Sequence, residues 1–163
     1  YRHGHRRIAA LISRPDDQSI SQLRYEGYIQ ALESHGIPVD PELVISTGGF
    51  GAKDAYRAVQ EKMAENVDFT ALFAIADSMA IGAMRALMDA GRRIPEDCSV
   101  IAIDGLELSA YIEPPLTTLC QPMEEMGRRS AEILLDMVRH KGSHACELLP
   151  TTLRQGRSVA APG

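Results

Sequence analysis

A chain of 163 residues, 45% hydrophobic and 24% charged, carries enough apolar side chain for one soluble domain with a core, and this excludes disorder as its bulk state. Aromatics are only 5% and Trp is absent, a mix rich in Ala, Ile, Leu and Met that fits packed α/β layers better than a small β-sandwich. The net charge is −5 and no basic block occurs beyond Arg2-His3-Gly4-His5-Arg6-Arg7, so the chain by itself lacks the concentrated positive face of a nucleic-acid reader.

Taken in chain order, "RIAALISR" (7–14) is a short apolar run closed by Pro15 and two aspartates, the pattern of a buried strand and a loop. Ser19 and Gln22 have capping-box spacing. Behind them Ile20, Leu23, Gly27, Tyr28, Ala31 and Leu32 repeat at helical intervals until Gly36 and Pro38 end the pattern. The unit recurs. "ELVIST" (42–47) predicts a strand, Gly48-Gly49-Phe50-Gly51 a loop, and 52–66 a helix with Ala55, Val59 and Met63 on one face. "TALFAIA" (70–76) predicts a strand with a helix over 78–90 behind it, and "CSVIAID" (98–104) a strand running into Gly105. Strands apolar on both faces, alternating with helices, predict an α/β fold: a Rossmann-like parallel sheet with helices on both faces. After 105 the rhythm changes. Pro114-Pro115 forbids a regular helix, so a turn, an extended segment at 116–120 and a long helix over 122–140 are expected, and "CELLPTTLRQG" closes as a strand bent or edged at Pro150.

Cys98, Cys120 and Cys146 are odd in number, far apart and without CxxC spacing, which argues for free thiols in a reducing compartment and against a disulfide framework or zinc site. No stretch approaches the ~18 apolar residues a membrane span needs, and the polar start has no signal-type apolar region behind it, so a cytoplasmic protein is expected. Tyr1 to His5 reads as the tail of a helix and a turn without an initiator Met, so a fragment of something longer is expected too.

In an open parallel sheet, ligands bind beyond the carboxyl ends of the strands. There the sequence places Arg24 one turn into the first helix, Phe50 after the second strand, Asp77 after the third, Asp104 after the fourth and Gln121 after the extended segment. A guanidinium fork, carboxylates, an amide and an aromatic plate suit a small polyhydroxyl or similarly polar ligand. Structural roles compete. Asp77 is placed to cap the following helix, Arg24 to pair with Asp16 or Asp17, and Phe50 to fold onto the core. Asp104, which follows an apolar run and precedes Gly105, has the strongest need of an outside partner. No nucleophile elbow, Walker sequence, dinucleotide fingerprint or metal-ligand spacing occurs; His3 and His5 are expected in solvent, and neither catalysis nor a cofactor is predicted.

Several stretches then combine into a pattern. "GHRRIAALI", "LRYEGYIQALESHGI" (23–37), "FAIADSMAIGAMRALMDAGRRIPEDCSVIAIDG" (73–105), "PPLTTLCQPMEEMGRRSAEILL" (114–135) and "LLPTTLRQGRSV" (148–159) together resemble the effector-binding core of the lactose/galactose-repressor family of bacterial transcription regulators. The resemblance implies one lobe of a two-lobed, periplasmic-binding-protein-like (type I) fold. Residues 1–116 would be the C-terminal lobe, 117–147 a strand and helix crossing to the other lobe, and 148–163 the closing strand and tail. It implies a small-molecule effector, a sugar or sugar derivative, bound by Arg24, Phe50, Asp77, Asp104, Gln121 and Met123. DNA would be read only through a separate N-terminal helix-turn-helix domain. The family pattern before the third helix is Asn-Asp, and Ala76-Asp77 departs from it by one amide. The resemblance also implies a homodimer that uses Met79, Ile81, Met84 and Met88 of the third helix, two of which must instead be core, with Leu106, Tyr111 and Ile112. Two readings stand beside it: a periplasmic-type sugar-binding protein of the same fold, and a flavodoxin-like enzyme or phosphoacceptor domain on Asp104, for which the required Lys is missing.

Overall fold

Strand β1 (Ile8–Ser13) buries Ala9, Ala10, Leu11 and Ile12 completely, which only an inner strand covered on both faces allows. The computed structural model describes residues 1–14, 20–140 and 146–163. After β1 come α1 (Ile20–Ser34), β2 (Val44–Thr47), α2 (Ala52–Ala64), β3 (Ala71–Ala74), α3 (Asp77–Asp89), β4 (Ser99–Asp104), β5 (Thr117–Cys120), α4 (Met123–His140) and β6 (Thr152–Arg154). They form one six-stranded sheet in the order β2-β1-β3-β4-β5-β6, parallel except for the short edge strand β6. Strand order reverses between β1 and β3. Right-handed crossovers on either side of that reversal put α1 on one face of the sheet and α2 and α3 on the other.

The core lies between the sheet and the α2–α3 pair, where Val59, Leu72, Ile75, Met79, Met84, Leu87 and Val100 are sealed from solvent. Among them is Cys98, a free thiol that burial pushes up to about 12. The other face is thinner. α1 turns Ser21, Tyr28 and Leu32 inward, whereas Ile20 and Leu23, expected on its inner stripe, are exposed.

Three further expectations change. His5 is buried rather than solvated: its ring nitrogens lie 2.9 Å from Thr70 Oγ1 and 2.8 Å from the Ala160 carbonyl, so it ties the start of the chain to its end. Residues 1–5 contain a turn, closed by Gly4 N–H donating to the Tyr1 carbonyl, and no helix. The extended segment 117–120, expected to leave with the crossing piece, is β5 itself, paired in register with β4 from Ile101↔Thr117 to Asp104↔Cys120. α4 beyond it makes little contact with the sheet and exposes Leu134, Leu135 and Val138. Ser19, Asp16 and Asp17 lie outside the described residues.

Candidate functional site

Beyond the carboxyl ends of β1, β3, β4 and β5, at the point where strand order reverses, three polar side chains meet. Arg24 Nη1 lies 3.1 Å from Asp104 Oδ1, and Gln121 Nε2 donates to the same oxygen at 2.8 Å. Arg24 Nη1 also donates to the carbonyl of Ile75, just past β3. The Arg24 and Asp104 side chains keep only 12% and 23% of their exposure, enough to reach a ligand and little enough to strengthen the charge-assisted contact.

Each member is positioned by its element. Arg24 sits one turn before Tyr28, whose hydroxyl donates to the Ile8 carbonyl at 2.7 Å and so pins α1 to β1. Burial, with smaller contributions from Tyr25 and Asp40, pushes the Tyr28 phenol up to about 12, so it stays a donor across the neutral range. Asp104 ends β4 with φ +137°, a conformation that favours glycine, and Gly105 follows at φ +80°. Backbone strain of this kind concentrates at binding sites. Gln121 follows β5, its N–H donating to the Asp104 carbonyl at 3.1 Å. It also lines a hollow of about 280 Å³ against α4 and residues 147–151.

Asp77 is a different kind of group from the one expected. α3 begins at Asp77 with Ala76 as its N-cap, and the Asp77 carboxylate makes no capping bond. It is fully buried. Oδ2 accepts from Leu106 N–H at 2.8 Å and from Ser109 Oγ at 2.7 Å, and Oδ1 accepts from Thr118 Oγ1. With both oxygens engaged inside the lobe, the carboxylate has no face to offer a ligand. Its backbone N–H, at 3.4 Å from Asp104 Oδ2, is the part that borders the cluster. Phe50 is 39% exposed rather than folded into the core, and its carbonyl accepts from Ser78 Oγ at 2.7 Å, which ties the loop after β2 to the start of α3. Met123 opens α4 and is exposed.

Ser109, Thr118 and the Leu106 N–H carry much of this geometry and were absent from the sequence reading. Only Thr118 left a signal, as one of two adjacent hydroxyls between Leu116 and Leu119 in an extended segment, which would need buried partners. Among the residues expected at a subunit contact, Met79 and Met84 are core and drop out, because α3 turns them onto the sheet. Ile81 and Ile112 are half-buried, and Met88, Leu106 and Tyr111 are exposed.

The fold and this edge define a ligand-binding lobe of the periplasmic-binding-protein type. The family described as "Periplasmic binding protein-like domain" matches residues 1–159, so the chain belongs to it. The HTH-type transcriptional repressor CytR of Escherichia coli (strain K12) is 37% identical over 155 residues, covering 91% of this chain and 45% of its own length. The chain thus spans about half the length of the curated relatives it matches. Among solved structures, the transcriptional regulator CelR in complex with cellobiose superposes with TM-score 0.88 at 35% identity, covering 96% of this chain and 48% of that one. A dimeric Lac repressor superposes at 0.91 with 29% identity, covering 99% and 58%. Among the described residues no helix is long and apolar enough to cross a membrane.

Proposed function

We propose that this chain is the effector-binding and subunit-pairing lobe of a DNA-binding transcriptional repressor, with a sugar or sugar derivative as effector. The observation that carries the reading is the fork of Arg24 and Gln121 on one carboxylate oxygen of Asp104, at the edge where parallel sheets bind ligands. A vicinal diol suits that arrangement: one hydroxyl donates to Asp104 while its neighbour accepts from Arg24, and Gln121 supplies a further donor. Phe50, exposed across the loop after β2, can cover a C–H face of the ring, and Met123 can close the side nearest α4. CelR, a relative in fold and sequence, is a regulator seen in complex with cellobiose, which supports a polyhydroxyl ligand here.

The second wall of the crevice comes from a second lobe, to which α4 crosses and from which β6 and the residues after it return. The exposed apolar side chains of α4 are what such a crossing helix needs. Ligand draws the lobes together, and the change in lobe angle alters DNA affinity in a separate helix-turn-helix domain, a coupling of typically ~1–3 kcal/mol. Such a regulator works in the cytoplasm, and it pairs through Ile81 and Met88 of α3 with Leu106, Tyr111 and Ile112.

Calorimetry of the full chain against sugars, nucleobases and sugar phosphates tests the reading. Asp104→Ala should weaken the best binder by about tenfold or more, the effect of removing one charge-assisted hydrogen bond worth ~1.5–3 kcal/mol. An unchanged Kd would show that Asp104 is not the effector's acid.

A further inference from the structure

The buried acid at the head of α3 makes three bonds to two distant segments. Asp77 Oδ2 holds Leu106 N–H and Ser109 Oγ, both in the turn that follows β4, and Oδ1 holds Thr118 Oγ1 in β5. Thr118 faces Ala102 across the β4–β5 ladder and precedes Gln121 by one strand end. The chain leaves β4 through two consecutive residues with positive φ, Asp104 and Gly105, and the first amide after them is the one Asp77 grips. Gly105 is pressed onto Cys120, with no room for a side chain, so the turn lies directly against the end of β5.

A buried carboxylate is stable only where its donors stay fixed. Here the donors come from the turn that carries Asp104 and from the strand that leads to Gln121. Arg154 braces the same turn from outside, Nη2 donating to the Leu106 carbonyl at 3.0 Å and to Ser109 Oγ. Without the grip on Leu106, Asp104 is free to relax to an ordinary backbone conformation, which swings its carboxylate off Arg24 and Gln121.

We propose that Asp77 is a positioning residue: its buried carboxylate clamps the 104–109 turn to β5, so that Asp104 and Gln121 face Arg24, and it thereby sets affinity for a polar ligand it does not touch. The part concerning affinity rests on the effector reading above; the clamp itself does not.

Amide hydrogen exchange of the full chain, followed by mass spectrometry without effector, tests the clamp. In Asp77→Ala the amides of Leu106 and Gln121 should exchange about tenfold faster or more, while the Ile75 amide, bonded to the Leu11 carbonyl in the core, keeps its rate. Asp77→Asn, which retains one acceptor oxygen, should restore most of the protection. Unchanged exchange at Leu106 and Gln121 overturns the proposal, and so does uniform acceleration that includes Ile75, which would mark a plain loss of stability. Should Asp77→Ala fail to fold, Thr118→Val removes one donor without changing shape. Faster exchange at Gln121 then supports the clamp and an unaltered rate overturns it. Because no effector is used, a chain that bound none of the sugars would sink the effector reading and leave this result standing.

Discussion

Gly105 is where the demands on a single residue are most severe. Its φ of +80° suits glycine, and a Cβ placed there would lie 2.6 Å from both Cβ and Sγ of Cys120. Gly105→Ala should therefore cost roughly 1–3 kcal/mol of backbone strain before any clash is counted. At about 2–4 °C per kcal/mol for a chain of this size, thermal denaturation should register a fall of several degrees. Cys120→Ala in the same chain should recover little, since Cys120 Cβ and Cα remain in the way. A Gly105→Ala chain melting at the parent temperature would mean that the β4 turn is looser than described. Asp104 was legible in the sequence because a carboxylate ending an apolar run is conspicuous. Asp77 was legible as a carboxylate at the end of a strand and was read as a cap and a ligand group; its burial was not legible. Its partner Thr118 lies 41 residues downstream, and a contact at that separation leaves no trace in local spacing.

Among the helices, α2 and α3 pack closely at Gly82. A Cβ on Gly82 would sit 2.0 Å from the Ala52 carbonyl oxygen, so the two helices touch backbone to backbone. Gly82→Ala should force them apart and cost roughly 1–3 kcal/mol or more, because the obstructing atom belongs to the main chain and cannot rotate aside. Chemical denaturation is the measurement, with Gly127→Ala as a control for replacing a helical glycine without a clash, since its surroundings are open. A Gly82→Ala midpoint equal to wild type would rule out the close approach. The alternation of strands and helices was readable throughout because a buried parallel strand is apolar on both faces and its neighbours are not. Which face of α1 turns inward was not readable: Ile20 and Leu23 follow the helical period but stand in solvent, while Ser21 is buried, its hydroxyl donating to the Ser13 carbonyl. Periodicity gives the stripe, and the packing partner decides whether the stripe is used. β5 was read as a departing segment for the same reason, since its pairing with β4 is a long-range choice.

At the scale of the molecule, two groups of exposed apolar side chains stand beside single exposures such as Ile20, Leu23, Phe50 and Leu148. One is on α4, with Leu134, Leu135 and Val138; the other is in the turn after β4, with Leu106, Leu108 and Tyr111. Patches of this kind on a folded chain mark surfaces that are covered in the working assembly. If the first group meets a second lobe, the second group is what remains for a symmetric partner, where each copy presents the same patch to the other. Tyr111, 77% exposed, is the natural anchor, since aromatic side chains dominate such contacts. Tyr111→Glu should weaken self-association of the full chain by about tenfold or more in sedimentation equilibrium, the effect of losing an anchor worth ~2 kcal/mol, and it should leave the circular dichroism spectrum unchanged. Met84→Ala should do the opposite, lowering stability by roughly 2–5 kcal/mol through a core cavity without touching the interface. Val138→Lys, on the helix assigned to the second lobe, should leave the dimer constant as it was. A wild-type chain that sediments as a monomer at high micromolar concentration would remove the partner, and the exposure of Tyr111 would then need another explanation.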